Sequence, residues 1–129
     1  MNIFETQLIV NEKDLDELNH VNNVRYVQWV QDIAEKHWNL KASSSIKEHY
    51  FWVMLSHYIQ YKGQAILGDK LTLKTYVIKS EGVTSTRIVE IFNSETNKLI
   101  TTSKTDWCLM STENLKPTRI TNELIELFN

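Results

Sequence analysis

Between Asp14 and Trp38 the chain reads DLDELNHVNNVRYVQWVQDIAEKHW, a polar run that gives way to an amphipathic one. From Val24 onward, Val24, Tyr26, Val27, Trp29, Val30, Ile33, Ala34, His37 and Trp38 recur at helical spacing, while Arg25, Gln28, Asp32, Glu35, Lys36 and Asn39 make the narrower opposite stripe. An apolar arc this wide predicts a helix with sheet wrapped around much of it.

The sequence on either side supplies that sheet. Ile3–Val10 mixes apolar, polar and β-branched residues and reads as a first strand. Phe51–Lys62, Lys70–Lys79, Val83–Phe92 and Leu99–Met110 follow the helix as four further strands. Gly68-Asp69, Glu81-Gly82 and Ser94–Lys98 mark turns between them, and such short spacers imply antiparallel neighbours joined as a meander. Ser43–Ser45 reads as a mobile connection, and Asn122–Phe128 as a short terminal helix packed on the sheet. An antiparallel sheet around one helix leaves open edges, and pairing with a second copy is one way to satisfy them. A homodimer or a dimer of dimers is therefore expected.

Composition narrows the function classes. A chain of 129 residues has the length of one domain with a sizeable core, so 1–129 is read as a single domain. The net charge of -2 gives no sign of a nucleic-acid partner. Cys108 is the only cysteine, which excludes an intrachain disulfide and the zinc-ribbon spacings. The start MNIFETQLIVNEKD lacks the basic lead and apolar run of a signal peptide, and no stretch approaches the roughly 20 apolar residues of a membrane span. A cytoplasmic protein is expected.

Asp14, Asp16, His20, Asn22 and Asn23 crowd into ten residues just before the helix. Part of that polarity is what any helix start needs, since Asn caps well and acids suit the positive end of the helix dipole. The same physics also builds a reaction centre. Unpaired N–H groups at a helix start polarise a carbonyl and stabilise its oxyanion. A carboxylate just upstream can attack that carbonyl or deprotonate water, with a nearby histidine assisting.

The stretch DLDELNHVNNVRY resembles the signature of the 4-hydroxybenzoyl-CoA thioesterase-like hot-dog family, in which an Asp precedes an HVNN-type helix entry followed by a Tyr. It is most similar to the acyl-ACP thioesterase branch. Ile59–Leu71 (IQYKGQAILGDKL) and Leu115–Leu127 (LKPTRITNELIEL) resemble that family's strand–Gly-Asp–strand segment and its Pro-containing end, so the likeness spans the chain. The resemblance implies an α+β hot-dog fold: an antiparallel five- or six-stranded sheet around one long central helix. It also implies hydrolysis of acyl-CoA or acyl-ACP thioesters, within fatty acid metabolism, and no metal or tightly bound cofactor.

Carried over residue by residue, it places the catalytic carboxylate on Asp16, the oxyanion donor on the backbone N–H of Asn23, and an assisting role on His20; Asp14 becomes a loop-stabilising partner. One departure stands out. The plant enzymes carry an Asn two residues after the Asp, where this chain has Leu18, so an Asp-Asn-His arrangement is absent and Asn19 stands one residue out of place. A hot-dog hydratase or dehydratase and a non-catalytic acyl-thioester-binding module are the rival readings. The D-x-D-x-x-x-H order speaks against the first, and Leu18 lends slight support to the second.

Other candidates read as structural. His57 could form a metal or acid–base pair with His20, but a strand histidine is more often packed and hydrogen-bonded. His37 and His49 read as helix-face and loop residues, and Cys108 as buried filler. Trp29, Trp38, Trp52, Trp107, Phe51 and Met54 read mostly as core, some of them lining an acyl tunnel. Lys74, Lys79, Arg87 and Lys104 read as scattered surface cations that could meet a carrier's phosphates.

Overall fold

A computed structural model describes residues 1–129. Strands β1 (Phe4–Ile9), β2 (Tyr50–Tyr61), β3 (Lys70–Glu81), β4 (Thr84–Asn93) and β5 (Leu99–Ser111) form one antiparallel sheet in the order β1-β3-β4-β5-β2. Helix α1 (Asn23–Lys41) packs on one face; α2 (Ser44–His49) and α3 (Asn122–Glu126) are short. The expected α+β layering is present, with five strands. No helix is long and apolar enough to cross a membrane.

In α1 the buried residues Tyr26, Trp29, Val30, Ile33, Ala34 and His37 follow the three-and-four spacing of one helix face. Tyr26, Trp29, Val30 and Ile33 join Leu71, Leu73, Val89, Ile91 and Ile100 of the sheet in one core, each large apolar side chain contributing about 1.5–3 kcal/mol by leaving water. The buried stripe is narrower than the apolar arc of the sequence. Val24 stays 70% exposed and Val27 is half-buried, because an open sheet covers one side of a helix and leaves its flank uncovered.

Two other expectations change. Ser43–Ser45 is no mobile connection: the Ser43 hydroxyl accepts the Ile46 N–H at 3.2 Å and caps α2, the ordinary use of serine at a helix start. The strands also do not form a simple meander. β2 pairs with β5 rather than with β3, whose outer edge is taken by β1. The segment Lys62–Asp69 is longer than a hairpin loop and crosses the ends of β5 and β4. Its start is fixed by the Lys62 and Gly63 N–H groups, which both donate to the Ile100 carbonyl. Its end is fixed by reciprocal bonds, Gly68 N–H to Val10 O and Val10 N–H to Asp69 O. Gly68, at φ +85°, takes the left-handed conformation needed to turn into β3.

Register shifts next to Leu55 in β2 and Ile78 in β3 add a residue on one strand, and such bulges bend the strand locally and increase its twist. At the other end of α1, Leu109, Ile120 and Leu124 form a second apolar cluster with Trp38 and Trp52 packed against it. The crossover end of the molecule carries the start of α1, and the second cluster lies toward its finish.

Candidate active site

The polar loop ahead of α1 is built from interlocking turns. Asn11 caps a single 3-10 turn (Glu12–Asp14), and its own N–H donates to Asp14 Oδ2 at 2.9 Å. Asp14 is buried, and its Oδ1 receives Arg25 Nε at 2.8 Å. This carboxylate joins the loop to the first turn of α1, the partner role expected of it. Asn22 then caps the helix through Oδ1 on the Val24 N–H at 3.0 Å.

Between these anchors Leu15 and Val21 pair as a small antiparallel bridge, and Asp16 N–H donates to the His20 carbonyl at 2.7 Å. The tip takes Asn19 at φ 63°, a left-handed position that Asn tolerates better than most residues. Asn19 thus serves the turn. Asp16 Oδ1 accepts two backbone amides, Leu18 N–H at 2.9 Å and His20 N–H at 3.1 Å. Its Oδ2 makes no bond within the chain. Asp16 lines a shallow open depression with Leu15, Glu17, Leu18 and Asn22, so a half-buried carboxylate lies beside the start of the helix.

Of the first helical amides, Val24 N–H is taken by the Asn22 side chain and Arg25 N–H by the Asn22 carbonyl at 2.9 Å. Asn23, the first helical residue, lies where an amide has no intrahelical acceptor. The depression thus holds Asp16 together with Asn22, the N-cap residue just before Asn23. The structure fixes the His20 backbone in the same turn, while the His20 ring has no hydrogen-bond partner in the chain.

The crossover segment forms the wall behind this rim. Val21 N–H donates to Ala65 O at 3.0 Å, His20 bridges to Ile66, and Ala65 N–H donates to the Tyr26 hydroxyl at 3.1 Å. Tyr26 is buried, and burial is the main cause that raises its phenol above the usual range. The tyrosine that ends the sequence signature works as a latch. Leu18, Ile66 and Leu67 nearby leave more than half of their surface exposed.

Away from this loop the structure corrects two sequence readings. His57 packs without hydrogen bonding: its Nε2 is buried with no partner, and burial lowers its pKa. Arg87 is no surface cation but is 6% exposed. Its Nη1 donates to His37 Nδ1 at 2.8 Å and to Thr75 Oγ1 at 3.0 Å. Arginine has no acceptor, so His37 Nδ1 is unprotonated and Nε2–H donates to Asn2 Oδ1 at 2.7 Å. Burial first, then the charges of Arg87 and Lys41, push His37 down to about 4. Burial lowers Arg87 to about 10, still charged at neutral pH. Cys108 is buried, as expected of a filler.

Arg87 faces a cavity of about 440 Å³ beside the second half of α1, whose walls include Trp38, Phe51, Trp52, Trp107 and Phe128. Nothing in the sequence signalled this group, since His37 and Arg87 are 50 residues apart and are joined only by the fold.

The family model of the thioesterase-like superfamily matches residues 10–128. Comparison with curated proteins finds no match. Among solved structures, a 1,4-dihydroxy-2-naphthoyl-CoA thioesterase from Synechocystis is similar at a TM-score of 0.84, with 15% identity, over 98% of this chain and 95% of the other. A DHNA-CoA thioesterase from Staphylococcus aureus aligns at TM-score 0.79 with 22% identity, over 92% of this chain and 81% of its own. The Staphylococcus aureus protein SAV2348, solved in complex with CoA, gives TM-score 0.86 and 15% identity, over 98% and 81%. At these identities the likeness establishes the architecture, the hot-dog fold.

Proposed function

This chain belongs to the thioesterase-like superfamily, and from that premise we propose that it hydrolyses acyl thioesters, with Asp16 as general base or nucleophile. The observation that carries this reading is the pairing at one rim of a carboxylate and a helix start. Asp16 is held through Oδ1 by two amides, with Oδ2 unbonded, beside a first helical residue, Asn23, whose neighbouring amides are already occupied.

In the general-base form, a thioester carbonyl sits against the Asn23 N–H and Asp16 Oδ2 takes a proton from water. The water oxygen attacks the carbonyl carbon, and the charge that develops on the carbonyl oxygen is held by the amide. Collapse breaks the carbon–sulfur bond, and the thiolate leaves with the proton returned by Asp16 or by His20. The backbone bonds to Asp16 Oδ1 fix the carboxylate before substrate arrives. CoA is favoured as the carrier over acyl carrier protein, because the similar structures are named for CoA thioesters or hold CoA.

A second copy is proposed at the β2 edge. This strand has a partner on one side only, and Val53, Leu55, Tyr58 and Tyr61 along it are exposed. An edge this long and apolar is covered in stable proteins. Sedimentation at twice the chain mass or a multiple of it is the expected result; a monomer at micromolar concentration would contradict the pairing.

Thiol release from a panel of acyl-CoAs and acyl carrier protein thioesters tests the activity. Turnover of at least one member, with free thiol and free acid in equal amounts, is expected. Absence of thiol release across the panel would overturn the hydrolytic reading.

A further inference from the structure

Arginine is almost never fully buried unless an anion pairs with it. In this chain Arg87 has no such partner. The two ion pairs are Arg25–Asp14 and Lys79–Glu81, and the groups that Arg87 bonds, His37 and Thr75, are both neutral. Only Nη1 is used in those bonds. Nε and Nη2 make no hydrogen bond in the chain, and neither is among the buried polar atoms without a partner; these two nitrogens are therefore the ones accessible to the cavity.

The surroundings of the guanidinium fix its position. His37 and Thr75 hold one end, and the Phe128 ring lies 5.3 Å from the guanidinium carbon. His37 is clamped between Phe4, stacked at 5.2 Å, and Phe128, edge-on at 4.8 Å. The accessible edge of a planar fork thus meets a cavity walled by three tryptophans and two phenylalanines. Glu35 on the exposed side of α1 also lines the cavity but makes no ion pair with Arg87, so the buried guanidinium among aromatic walls favours a ligand that is hydrocarbon along its length and anionic at one point. Geometry narrows the anion, since two adjacent N–H donors in a rigid fork match the two oxygens of a carboxylate.

The cavity is separate from the Asp16 rim. Its α1 lining runs from Gln31 to Asn39, roughly 12 to 24 Å along α1 from Asn23 at 1.5 Å per helical residue.

We propose that this cavity is a binding site for an apolar carboxylate, its two oxygens on Arg87 and its hydrocarbon among Trp38, Trp52 and Trp107. The carboxylate is carried either by a free acid or by the far end of an acyl group.

Two measurements test it on the full chain. The first is calorimetric titration, paired with tryptophan emission, of decanoate against decanamide, which matches it in length and lacks the charge. Decanoate is expected to bind about tenfold tighter or more, the worth of a hydrogen bond to a charged group, and to shift the emission. In Arg87→Gln the two ligands should bind alike, and in Arg87→Lys the preference should fall without vanishing. Equal binding of acid and amide to the unaltered protein overturns the proposal even if neither variant folds, as does an undiminished preference in folded Arg87→Gln.

The second measurement rests on the hydrolytic reading and separates the two sources. Hexadecanoyl-CoA is compared with the mono-CoA thioester of hexadecanedioic acid, an acyl group long enough to run from Asn23 to the Arg87 end of the cavity. A higher kcat/KM for the half-acid, lost in Arg87→Gln, assigns the site to the far end of the acyl group. No such preference, together with charge-dependent binding of decanoate, assigns it to a free acid. If neither thioester is cleaved, the hydrolytic reading fails while the titration still decides the cavity.

Discussion

The loop before α1 and the group beneath its second half are both polar, and they treat charge in opposite ways. In the loop every buried charge has its complement. Asp14 meets Arg25 at 2.8 Å, and the Asp16 oxygen that turns inward is met by two amides. In the interior a guanidinium sits on a neutral imidazole and a hydroxyl and makes no ion pair. A balanced site stands ready with its reactive oxygen at the rim, whereas an unbalanced one has its charge left over for a ligand.

The contrast breaks most sharply if a second charge is forced into the interior. His37 is fully buried and its folded-state pKa is lowered to about 4, so the unfolded chain, with its histidine near 6.5, binds the proton more readily. The stability this group contributes is therefore complete above about pH 6.5 and is lost as pH falls through about 4, on the order of 3 kcal/mol in all. Denaturant unfolding between pH 7 and pH 4 should show that loss, and His37→Gln should flatten it. An equally steep profile in the variant would place the titration elsewhere.

Breaking the balance in the loop should cost less. Asp14→Ala removes the acceptor of Asn11 N–H and of Arg25 Nε, but the Arg25 side chain is 41% exposed and can turn to water. A destabilisation of about 1–3 kcal/mol is expected, read as a lower melting temperature. A loss of activity larger than the loss of stability would show that Asp14 does more than hold the loop.

The same contrast explains what could be read from the sequence. The loop was legible because its groups are neighbours in the chain. Asp16, His20 and Asn23 lie within one short stretch, and the turn at Asp16 and the cap at Asn22 follow from residue type alone. The helix face and all five strands were legible because apolar periodicity reports them directly. The sheet order was not, since nothing in Lys62–Asp69 distinguishes a hairpin from a crossover until β2 has found β5. Arg87 looked like any strand cation, because its inward position depends on His37 and Thr75 arriving from α1 and β3. Hydrogen bonds between residues so distant in sequence leave no local pattern.

The most direct measurement is thiol release by Asp16→Asn beside its melting temperature. Asparagine keeps the oxygen that accepts the Leu18 and His20 amides and loses only the charge and basicity, so the loop and the melting temperature should be preserved. The rate should fall by about 10²–10⁴-fold, the usual contribution of a positioned acid or base. A folded variant that turns over at the rate of the unaltered protein would contradict the assignment of Asp16.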